Sequence, residues 1–119
     1  MSFLLPELSV SVNVTLVLTT VPDADTAQTL AAQVLAARLA ACVSQQGAVH
    51  SSYHWQGKVE FADEIQLLFK TSVARALELE QFIQKHHPYD TPEILSWHAT
   101  ASAAYGQWVI AETQRSVHV

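Results

Sequence analysis

Between Val10 and Leu18 the even positions are Val, Val, Val, Leu and Leu, while the odd ones are Ser, Asn, Thr and Val. That period of two predicts a half-buried first strand whose even side chains form the apolar face. Val21-Pro22-Asp23 breaks the alternation, and Asp23 can cap the free amides of an Ala- and Leu-rich stretch of strong helix formers. Within it Ala27, Leu30, Ala31, Val34 and Leu35 fall on one helical stripe, which ends near Ala40. A short strand is then expected from Cys42 toward Gln46-Gly47. A second alternating run, Ser51 to Trp55, turns at Gln56-Gly57 into a long returning strand, Lys58 to Thr71, with Ile65, Leu67 and Phe69 on one face.

Thr71-Ser72 is suited to capping a second helix, on which Val73, Ala76, Leu79 and Ile83 share a face. Lys85-His86-His87-Pro88 closes it. Pro92 to Thr100 reads as the last strand, and Ser102 as the cap of a terminal helix carrying Tyr105, Trp108 and Val109. The order βαββαβ, two strand-helix-strand halves with an extra C-terminal helix, predicts an α+β, ferredoxin-like antiparallel sheet. The 119 residues fit one domain, 1–119, with residues 1–9 as a flexible N-terminal segment.

Composition adds an interface to this picture. Charged residues are 14% of the chain, against about 25% in an average soluble domain, and apolar residues are 50%. Apolar surface is left over once so small a body has folded, and a subunit interface is its commonest destination. A hairpin bearing Tyr53, Trp55 and Phe61 would expose edges and aromatic area in a monomer. The net charge of -5, with six Lys and Arg residues scattered along the chain, offers no field for nucleic acid. No apolar run reaches the roughly 18 residues that span a bilayer, and the first ten residues lack the charged and apolar regions of a secretory signal. One cysteine, Cys42, precludes an intramolecular disulfide and fits a reducing cytoplasm.

Four stretches occur in a specific order: Leu39-Ala40-Ala41-Cys42-Val43; Tyr53-His54-Trp55-Gln56-Gly57-Lys58-Val59-Glu60; Lys70-Thr71; and His87-Pro88-Tyr89-Asp90-Thr91-Pro92-Glu93. Together they resemble the CutA, or divalent-cation tolerance, family from about Val14 to Gln114. The resemblance implies a ferredoxin-like fold, a tight homotrimer built by strand pairing between subunits, a cytoplasmic setting and a role in tolerance to divalent metals, including copper. It also implicates the counterpart of Cys42 in metal binding. Some members pair it with a second cysteine in the first strand, where this chain has Thr19.

Thiolate with imidazole suits copper and other soft or borderline metals, so Cys42 and His87 are the metal candidates. The competing role for Cys42 is that of a small buried apolar residue. His86 and His87 project about 100° apart on a helix and cannot share one ion there, and positive charge at a helix carboxyl end explains His86 without a metal. Glu60, Tyr89 and Glu93 belong to the shared motifs and are candidates for a cleft between subunits, with Tyr53, Trp55, Lys58, Lys70 and Trp108 as further members. Lys58, Glu60, Glu64 and Lys70 also read as ordinary charges on a solvated strand face.

The leading function is thus a non-enzymatic trimer in divalent metal (copper) tolerance, binding a metal or small ligand at intersubunit clefts, with no organic cofactor. The alternative is a trimeric signalling or adaptor protein like the PII proteins, although the chain has only three glycines and no Gly-rich phosphate loop. A hydrolase ranks last, because Glu60 and Glu93 have no nucleophile to serve.

Overall fold

The computed structural model describes residues 11–115. It contains β1 (Ser11–Val21), α1 (Ala24–Ala36), β2 (Cys42–Trp55), β3 (Lys58–Ser72), α2 (Ala76–His86), β4 (Ile94–Ser102) and α3 (Ala103–Glu112). The strands form one sheet in the order β2-β3-β1-β4, antiparallel at every pairing. This is the ferredoxin-like α+β arrangement with an added C-terminal helix. The segment 1–9 expected to be flexible, and Val10 at the head of the first predicted strand, lie outside the described residues.

The core occupies the face of the sheet that carries α1 and α2. Val17 and Val21 of β1 and Leu67 and Phe69 of β3 pack there against Ala27, Leu30 and Val34 of α1 and Leu79 and Ile83 of α2. The side chains that β1 sends into it are therefore the odd ones, not the even ones that the alternation singles out. Thr15 and Thr19 are buried on that face too, and Thr19 donates its hydroxyl to the Glu93 carbonyl at 2.7 Å. The even residues Val12, Val14, Leu16 and Leu18 face the other side of the sheet. Being central, β1 needs apolar side chains on both faces, so alternation alone cannot tell which face meets the helices. Part of the even face is covered by α3, whose Gly106 packs directly on Val12 and whose Thr113 hydroxyl, 3.0 Å from that of Ser72, also reaches the Val109 carbonyl.

Asp23 caps α1 as expected, accepting from the Thr26 amide at 2.8 Å. The helix stops at Ala36, short of Ala40, because Arg38 turns with φ of 56° and sends Leu39 and Ala40 into the core. Ser72 does not cap α2. A 3₁₀ turn, Val73–Arg75, precedes that helix and leaves Val73 exposed, while the buried stripe is Ala76, Leu79 and Ile83. The last strand begins at Ile94 rather than Pro92 and extends to Ser102, which caps α3 through the Tyr105 amide.

The two runs predicted on either side of Gln46-Gly47 are one strand, β2, interrupted by a bulge between Gln45 and Ala48 where Gly47 takes φ of 100°. Gln56 and Gly57, both with positive φ, close the hairpin into β3. Pairing of β3 with β1 ends at Ile65 opposite Val21. Beyond that point Val49–Trp55 and Lys58–Glu64 pair only with each other, as a ribbon projecting about 20 Å from the sheet.

Candidate functional site

Where the ribbon leaves the sheet, an open cleft of about 790 Å³ lies between its even face, the end of β1 and the loop entering β4. Direct pairs across an antiparallel ladder share a face, so Tyr53 opposite Glu60 and Trp55 opposite Lys58 follow β3's even positions, as does Glu64. From the loop come Tyr89, Asp90 and Glu93, and from β1 Thr20.

His87 anchors that loop. It ends α2 in an extended conformation (φ -76°, ψ 141°), as its position before Pro88 requires, and is only 8% exposed. Its Nε2 lies 2.7 Å from the Thr20 carbonyl oxygen, which can only accept, and its Nδ1 lies 3.1 Å from the Tyr89 amide, which can only donate. The ring is therefore the neutral Nε2–H tautomer with both nitrogens engaged. Burial holds its pKa below the usual histidine value, against the opposing pull of the Thr20 carbonyl and of Glu64. Tyr89, its ring tilted by 46° against the imidazole with centroids 4.8 Å apart, donates its hydroxyl to Glu64 at 3.0 Å. Burial, then that hydrogen bond and the charge of Glu64, push its pKa up to about 12, so the phenol stays protonated. Glu93 is fixed through its backbone by Thr19, and its carboxylate lies 3.5 Å from the Thr20 hydroxyl.

Five of the eight residues expected at a cleft line this one: Tyr53, Trp55, Glu60, Tyr89 and Glu93. Lys58 sits at the hairpin turn just outside it. Lys70 and Trp108 lie elsewhere. Lys70 pairs directly with Cys42 toward the other end of the sheet, its Nζ 3.8 Å from Sγ and hydrogen-bonded to Ser44. Trp108 stands on α3, its ring 5.6 Å from that of Tyr105. The strand reading also passed over Glu64, which is 8% exposed and not a solvated strand charge. Its spacing of four from Glu60 was the available signal, since it places both on one face.

The metal candidates are not brought together. Cys42 shares a row with Lys70 and Leu16, whereas His87 is held at Thr20, four residues or about 13 Å further along β1. Thr19 points to the opposite face from Leu16 and hence from Cys42. Among the described residues no three His, Cys, Asp or Glu side chains are arranged to hold a metal ion. Nor is any helix among them long and apolar enough to cross a membrane.

A family model for the CutA1 divalent ion tolerance protein matches residues 15–112. The chain belongs to the CutA1 family. The divalent-cation tolerance protein CutA of Yersinia pestis (strain Pestoides F) is 49% identical over 83 residues, 70% of either chain. Among solved CutA structures, that from Synechococcus elongatus PCC7942 superposes with a TM-score of 0.82 at 38% identity, covering 91% of this chain and 99% of the other. The periplasmic divalent cation tolerance protein CutA from Archaeoglobus fulgidus gives 0.81 at 25% identity, covering 85% and 99%. Membership of the CutA1 family associates the chain with divalent-cation tolerance, a description that names no catalytic activity.

Proposed function

We propose that this protein acts in divalent-cation tolerance, copper included, as a non-catalytic cytoplasmic homotrimer that binds a metal or small ligand at clefts between subunits. The observation that carries the reading is the ribbon of β2 and β3. An isolated two-stranded ribbon is marginal in water, and this one exposes Tyr53, Trp55, Val59 and Phe61 at 42 to 63%. The even face of the sheet adds Leu95 and Trp97, in register with Leu18 and Leu16. Packing ribbon and face against neighbouring subunits removes both liabilities at once.

The family's link to metals bears on the donors available. Cys42 is a poor place for a cation, because the Lys70 ammonium stands beside it. At His87 a metal would have to displace the Thr20 carbonyl or the Tyr89 amide. Glu60, Glu64, Asp90 and Glu93 supply carboxylate oxygens, which suit hard and borderline divalent ions. Since one chain assembles no three-ligand set among its described residues, donors from two subunits are needed. The single cysteine supports a reducing compartment.

Light scattering at micromolar concentration should give about three times 13.1 kDa, and a folded monomer would overturn the assembly. Divalent metals should raise the melting temperature, since a ligand that binds only the folded state stabilises it. A rise with nucleotides and none with metals would favour the PII-like signalling role instead.

A further inference from the structure

We draw no further inference here: the strongest candidate, the side-chain cluster of Cys42, Ser44 and Lys70 at the start of the edge strand β2, centres on a lone cysteine, and nothing else among the described residues points to a ligand there.

Discussion

Replacing His87 by alanine tests how the candidate cleft is held together. The imidazole is 8% exposed and makes two hydrogen bonds, through Nε2 to the Thr20 carbonyl and through Nδ1 to the Tyr89 amide. Its loss leaves two backbone groups without partners, at about 1 kcal/mol or more each, and opens a void beside Tyr89 that adds a further loss of packing. A destabilisation of about 3 kcal/mol at pH 8 is expected, measured by urea unfolding at fixed protein concentration. The pH dependence identifies the mechanism. Burial lowers the folded-state pKa of His87 below the ordinary histidine value of 6.5, so the unfolded chain binds the proton more readily. Its contribution is fully present above pH 6.5 and is lost as pH falls from there through the folded pKa, with a slope of at most about 1.4 kcal/mol per pH unit. In structural terms, protonated Nδ1 becomes a donor facing the Tyr89 amide, also a donor. The stability difference between wild type and His87→Ala should therefore shrink from pH 8 to pH 5. Taking that difference cancels the exposed His50–Asp63 pair, which is present in both proteins. A difference that stays constant with pH would refute the neutral, doubly bonded imidazole.

Gly106→Ala places a methyl group against the side chain of Val12, well inside contact distance, and should cost about 1–3 kcal/mol in a thermal melt by prising α3 from β1; an unchanged melting temperature would show that α3 adjusts freely. Thr19→Cys should lose about 1 kcal/mol with the bond to the Glu93 carbonyl and leave copper affinity unchanged, since residue 19 and Cys42 face opposite sides of the sheet. A tenfold gain by calorimetry would contradict that placement. Trp55→Glu puts a charge on the ribbon's aromatic face and should lower the assembled mass seen by light scattering, whereas an undiminished trimer would remove the ribbon from the interface.

Element order, and with it the sheet, was legible because each transition has a local cause: the Asp23 cap, the Gln56-Gly57 turn and the Ser102 cap all act where the sequence puts them. Errors arose where a distant contact decides the outcome. Ser72 has the chemistry of a cap but lies against Thr113, 41 residues away. β2 resembles two strands because Gly47 occupies a bulge, and only pairing with β3 makes it continuous. The face of β1 was misassigned because Thr15 and Thr19 look polar in sequence, although Thr19 satisfies its hydroxyl at Glu93 inside the fold.

The site was legible in part for a reason that follows from the topology. Tyr53 to Glu60 and His87 to Glu93 are separated by 26 residues containing a strand and a helix. They meet because β3 pairs with β1, which places the root of the ribbon beside the end of β1, while His87 ties the loop after α2 to Thr20 at that same end. Once the imidazole fixes the loop, Tyr89 reaches Glu64 and Glu93 reaches Thr20. His87 thus acts as a positioning residue, holding the carboxylates and aromatic rings of two distant segments in one cleft. Cys42 and Lys70 have no such connection to the cleft: their row crosses β1 at Leu16, four residues from Thr20, where His87 holds the loop after α2.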